Sequence, residues 1–181
     1  MVNFHIPNFL DRYNGTMNMT LINMIKQAPQ MFYDGVRIAS VFDCFPLVWN
    51  GGRIVAGYMD MNTAKRLVPQ YLGRFNAMGV PCRLTFTNPL ITEKELADPV
   101  CNAVLDIADN GLNEAIVFSP LLEEHIRKTH PKMKLTSSTC KQITDITELK
   151  AELERNYSLV VLDYNLNDQF DILSTLPHKD K

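Results

Sequence analysis

Two aspartates, Asp43 and Asp163, each follow directly on a short apolar run. A carboxylate at the end of an apolar segment could act as a general base or hold a cation. Lys141 closes the hydroxyl-rich run Ser137-Ser138-Thr139-Cys140 and could neutralise charge beside them. Asp43, Lys141 and Asp163 are therefore the candidates for catalysis. Arg53, Asn88, Ser119, Ser137, Ser138 and Asn165 occupy comparable positions after other apolar runs and are candidates for holding a ligand. The same residue types are the common formers of turns and helix caps, so a structural role competes with the chemical one at each position.

Other groupings are weaker. Asn50-Gly51-Gly52-Arg53 could clamp a phosphate or carboxylate, but it lacks the spacing of a dinucleotide or phosphate loop and reads more simply as a hairpin-like turn. Cys44 and Cys140 lie just past apolar runs, yet no histidine is placed to activate them. His5, His125, His130 and His178 show no metal-ligand spacing, so no metal ligands are assigned, and the sequence leaves any cofactor unknown. Phe42, Phe45 and Trp49 could wall a pocket.

The elements that must carry these residues alternate. Five extended segments are expected: Val36–Phe42, Val80–Phe86, Glu114–Phe118, Met133–Thr136 and Ser158–Leu162. The third and fifth are nearly continuous apolar runs, as in a parallel strand covered on both faces. Helical segments stand between them with their own start signals. Thr92 and Glu95 have capping-box spacing, Ser119-Pro120 is an N-cap followed by proline, and Asp145 with Glu148 repeats the box. Leu67, Val68, Tyr71, Leu72, Phe75 and Met78 follow helical spacing up to Gly79, with Pro69 expected to kink or start that helix. Pro99 is expected to strain the helix after Thr92. Near the N-terminus, Met17, Leu21, Met24 and Ile25 mark a helix, so residues 1–34 are read as a helical extension and 35–181 as the β/α domain.

Strand–helix alternation with short links implies parallel βαβ units. One solution is a five-stranded doubly wound parallel sheet. The other is a parallel, TIM-like β/α barrel, which takes about 250 residues for its eight units. At 181 residues this chain would supply about five units of it, leaving the barrel incomplete. In both folds the ligand site lies at the carboxyl ends of the strands, where Asp43, Asn88, Ser119, Ser138 and Asp163 would gather.

Composition narrows the partners. Eighteen basic and twenty acidic residues give a net charge of −2, which disfavours nucleic-acid binding through bulk charge. No apolar run is long enough to cross a bilayer, so no membrane association is expected. Four dispersed cysteines without an export signal read as reduced thiols in a cytoplasmic protein.

The stretch Ser119-Pro120-Leu121-Leu122 with its helix to Lys128, then Leu135-Thr136-Ser137-Ser138-Thr139, then Val160-Val161-Leu162-Asp163 through Ile172, resembles the collagenase-like peptidase family, which includes RNA and ubiquinone hydroxylation factors. The resemblance spans roughly the last hundred residues and implies the β/α barrel over the doubly wound sheet. The family's Arg-Glu pair is replaced here by Tyr164-Asn165, and its C-terminal cysteine cluster has no counterpart before Lys181. The resemblance therefore implies the fold and neither the metal centre nor the catalysis. The resulting expectation is an enzyme-like domain that binds a small polar or anionic molecule at the strand-end loops. The alternative is a non-catalytic barrel fragment whose open edges are covered by self-association or by a partner chain completing the barrel.

Overall fold

The computed structural model describes residues 2–10, 12–50 and 57–181. Arg53 and the glycine pair before it lie outside them. Six parallel strands form one sheet in the order of the chain. They are β1 (Val2–Pro7), β2 (Val36–Asp43), β3 (Cys82–Phe86), β4 (Glu114–Val117), β5 (Lys134–Ser137) and β6 (Leu159–Val160). The helices are α1 (Arg12–Gln27), α2 (Met61–Asn76), α3 (Glu93–Leu96), α4 (Pro99–Ala108), α5 (Pro120–Thr129), α6 (Ile146–Glu154) and α7 (Phe170–Leu173).

Strictly sequential order decides between the two expected folds. A doubly wound sheet reverses direction at a switch point, so that helices cover both faces. Here each strand is added on the same side as the last, and the sheet curls into an incomplete parallel β/α barrel. All five expected segments are strands of it. The sixth, β1, comes from the N-terminal segment read as purely helical, which supplies both β1 and α1. Its sequence, Val-Asn-Phe-His-Ile-Pro, is interrupted by polar Asn3 and His5 and largely exposed, as suits an edge strand, so it carries no apolar-run signal.

Side chains alternate across the strands. Val41, Cys82, Leu84, Phe86, Ala115, Val117 and Leu135 point to the convex side and are buried under the helices. Val68, Leu72 and Phe75 of α2, Val104 and Leu105 of α4, and Leu122 and Ile126 of α5 close that core. The opposite set, including Phe42, Arg83, Thr85 and Ile116, faces the concave side.

The caps act as the sequence implies. Thr92 and Glu95 form a complete capping box, and Ser119 Oγ accepts from Leu122 N. Asp145 Oδ1 accepts from Glu148 N. Pro99 does not strain a helix. The chain breaks after Leu96, and Pro99 opens α4 with Asp98 as N-cap, a position where proline's missing N–H costs nothing. Pro69 sits inside α2, which starts eight residues earlier at Met61 on an Asp60 cap. Gly79 then turns the chain into β3 at φ +71°, a conformation that favours glycine.

Candidate functional site

The concave face encloses a cavity of about 580 Å³. Strands β1 to β4 supply His5, Phe42, Arg83, Thr85 and Ile116 to its lower wall. The strand-end loops supply Cys44, Asn50, Thr87, Ser138, Thr139 and Cys140, and the β6 end supplies Val161, Leu162 and Asn167. Among the described residues the lining carries one guanidinium and no carboxylate.

A linked polar group lies at the amino end of this face. Arg83 and Glu114 are register partners on β3 and β4, and Arg83 Nε donates to Glu114 Oε2 at 2.9 Å. Ser158 Oγ donates to the same oxygen at 3.2 Å. On the other side Arg83 Nη1 meets His5 Nδ1 at 3.2 Å, and Ser40 Oγ meets that nitrogen at 2.7 Å. An arginine can only donate, so His5 Nδ1 is the acceptor and the ring proton resides on Nε2. A register shift between Phe4 and His5 is what sets His5 opposite Ser40 rather than Ala39. Burial and the Arg83 charge hold the His5 imidazole below its ordinary pKa, so it is neutral at neutral pH. Burial also pulls the Arg83 guanidinium down, while Glu114 opposes that shift.

The sequence-derived candidates are distributed differently. Ser138 lines the cavity, where its hydroxyl also accepts from Cys140 N. Asp43 lies at the end of β2 but spends both oxygens on the chain. Oδ2 accepts from Leu10 N at 2.9 Å and Oδ1 from Cys44 N at 2.8 Å. Asp163 is buried and accepts from Asn165 N and from Asn165 Nδ2, so these two candidates hold each other in one loop. Asn88 ties its turn to Val48 O and Leu90 N. Ser119 is the cap of α5.

Lys141 and Ser137 turn to the convex side. Lys141 Nζ donates to Glu152 Oε1 at 2.5 Å and to the Tyr157 hydroxyl at 2.9 Å, and Ser137 Oγ donates to the same Glu152 oxygen at 2.6 Å. Glu123, Arg127 and Arg155 extend this group between α5 and α6. Phe42 alone of the expected aromatic wall reaches the cavity. Phe45 and Trp49 are buried in the convex core, where Trp49 Nε1 donates to Glu95 O and its ring packs edge-on to Phe86 and His125.

His5, Arg83, Glu114, Ser40 and Ser158 were not singled out from the sequence. A signal existed in β3, where Arg83, Thr85 and Thr87 alternate with Cys82, Leu84 and Phe86. That period of two marks a strand with one polar face. Among the described residues no group of three or more His, Cys, Asp or Glu could hold a metal ion, and no helix is long and apolar enough to cross a membrane.

The fold and this site define a β/α-barrel domain with an open concave cavity. No family model matches the chain, and no curated protein matches it in sequence. Among solved structures it is similar to the U32 peptidase Mk0906, with a TM-score of 0.63 at 12% identity. The match covers 97% of this chain and 64% of that one, so this chain spans less than two thirds of the length of the structure it resembles. At that identity the likeness shows a shared fold alone.

Proposed function

We propose that this domain binds a small polar or anionic molecule in the concave cavity, with the strand-end loops forming the mouth. One observation carries the reading: the 580 Å³ space holds a buried guanidinium, several hydroxyls and apolar walls, with no carboxylate in the lining of the described residues. Its size and mixture of groups are those of small-ligand sites. Part of its lining, Cys44, Thr87, Ser138 and Cys140, comes from the loops at the carboxyl ends of the strands, where such folds place their sites. The reading rests on the lining residues, with Ser138 at the rim, rather than on Asp43, Lys141 and Asp163. Peptidase activity, which the neighbour's name carries, forms no part of it. The test is ¹³C-methyl NMR of the full chain against mixtures of small acids and polar metabolites. Binding shifts the Ile116, Val161 and Leu162 methyls, and Val161→Trp at the rim abolishes the shifts. Unmoved methyls across the mixtures, or shifts that survive Val161→Trp, would overturn it.

A second reading has its own support. β1 leaves one edge of the sheet without a neighbouring strand among the described residues, and its Val2 and Phe4 are 51% and 46% exposed, whereas at the β6 edge Val160 N already donates to Lys181 O. Such an edge is a template for another strand. In this reading a second copy or a partner chain completes the barrel, and solution mass by light scattering tests it. A monomer at all concentrations would remove self-association.

A further inference from the structure

We infer that the ligand of this cavity is a small monocarboxylate with an apolar body, its carboxylate seated on Arg83 and its body against Phe42, Ile116 and Leu162. This deepens the binding reading above and rests on it. Arg83 is 7% exposed, yet it lines the cavity. Its Nε is taken by Glu114 and its Nη1 by His5. The guanidinium hydrogens on Nη2 have no partner among the described residues. Beside it the His5 ring carries its proton on Nε2, without an acceptor among the described residues, and Thr85 offers a hydroxyl two residues further along β3 that makes no hydrogen bond with described residues. Guanidinium, imidazole N–H and hydroxyl are three donors in one lining, and the acceptor beside them, the Glu114 carboxylate, is already held on Arg83 Nε. A planar carboxylate is the group such donors fit.

One further atom on this face is unsatisfied. Thr136 Oγ1 is buried without a hydrogen-bond partner. Thr136 shares a register row with Ile116, next to Thr85, and its neighbours Leu135 and Ser137 point to the convex side, so its hydroxyl belongs to the concave layer. Thr136 is not among the residues that line the cavity, so this hydroxyl lies behind the wall and not on it.

Charge selects a monoanion. Glu114 already sits on the same guanidinium, so a bound anion lies close to a carboxylate. A phosphate dianion would double that repulsion with no second cation in the described lining to offset it. The rest of the lining selects the body. Phe42, Ile116, Leu159, Val160, Val161 and Leu162 supply the apolar part of the lining.

The test uses three matched probes on the full chain: 4-phenylbutyrate, its neutral amide, and the corresponding alkyl phosphate. Binding is measured by calorimetry and located by the Ile116 and Thr85 methyl signals. The carboxylate should bind roughly ten- to a hundredfold tighter than the amide, the span expected for charge-assisted hydrogen bonds. The paired variant Arg83→Met/Glu114→Gln, which leaves no buried charge behind, should erase that preference. Equal binding of amide and carboxylate at Ile116 overturns the inference while leaving the cavity reading intact. A preference for the phosphate overturns it in the same way. If no probe moves the Ile116 signal, the inference falls, and the mixture screen decides the binding reading separately. Should the paired variant fail to fold, the three-probe comparison on the unmodified chain decides the matter.

Discussion

Arg83 and Glu114 face each other across adjacent strands, joined at 2.9 Å with each side chain only 8% exposed. Neither charge can return to water without unpacking the concave face. Removing one partner leaves the other buried and unpaired, which costs about 3–5 kcal/mol, whereas replacing both removes the desolvation burden as well. Arg83→Met is therefore expected to be strongly destabilised, and Arg83→Met/Glu114→Gln to regain most of the loss. A double-mutant cycle by chemical denaturation measures this. Additive effects would show that the two residues do not act as a pair.

His5 adds a pH dependence to the same face. Its pKa is lowered in the folded state, first by burial and then by the Arg83 charge, from an ordinary 6.5. Between that lowered value and 6.5 the unfolded chain holds more protons than the folded one, so stability rises with pH across this window. The contribution is complete above about 6.5 and is lost as pH falls through the folded value. Imidazole NMR should give a midpoint below 6.5, and His5→Gln should flatten the stability profile in that range. A midpoint at or above 6.5 would contradict the placement of the ring.

The convex ion network behaves in the opposite chemical sense but with the same slope. Burial raises the Glu152 carboxyl, yet hydrogen bonds from Lys141 and Ser137 outweigh this and hold it below its ordinary 4.5. Its stabilisation is full above about 4.5 and is lost as pH falls through the folded value. Glu152→Gln should remove that acid-limb loss. Glu123 is 3% exposed and receives Arg127, Arg155 and the Tyr157 hydroxyl, so Glu123→Gln should cost about 1–3 kcal/mol at neutral pH. Thermal melts from pH 3 to 7 separate the two effects.

What could be read in advance divides along physical lines. Apolar strands and their helix caps are local features, so β2 to β6, Thr92, Ser119 and Asp145 were all legible. β1 was not, because an exposed edge strand has no need of an apolar run. For the site, being a polar residue at a strand end proved a poor guide to what a side chain faces. Asp43, Asn88, Ser119 and Asp163 stand at such ends and use their oxygens on nearby backbone. Ser137 lies one position out of phase with the concave face, Lys141 sits in the turn after β5, and both meet Glu152 instead. The groups inside the cavity, Arg83 and His5, sit within strands, where only the alternation of β3 and the register shift of β1 reveal them.

The cysteines offer a direct probe of which face is which. Burial alone pushes the Cys82 thiol up to about 12, and burial is the leading cause for Cys101, also at about 12. Both are inaccessible in the convex core, whereas Cys140 is exposed at the cavity mouth. Brief alkylation of the native protein should modify Cys140 and spare Cys82 and Cys101, which react only on unfolding. Peptide mass mapping checks it. Rapid native labelling of Cys82 would place β3 the wrong way round.

Asp43 and Asp163 can be separated from the site by the same experiments. Asp43 ties Leu10 of the β1–α1 link to the end of β2, and Asp163 caps the short turn Tyr164–Leu166. Loss of such oxygens typically costs about 0.5–2 kcal/mol. Asp43→Ala and Asp163→Ala should each lower stability by that amount while leaving 4-phenylbutyrate affinity within about twofold of the unmodified chain, since a change below ~0.4 kcal/mol is what a remote cap transmits. A much larger loss of affinity in either variant, with stability preserved, would restore that aspartate to the binding machinery and shift the site from the strand interior to the strand ends.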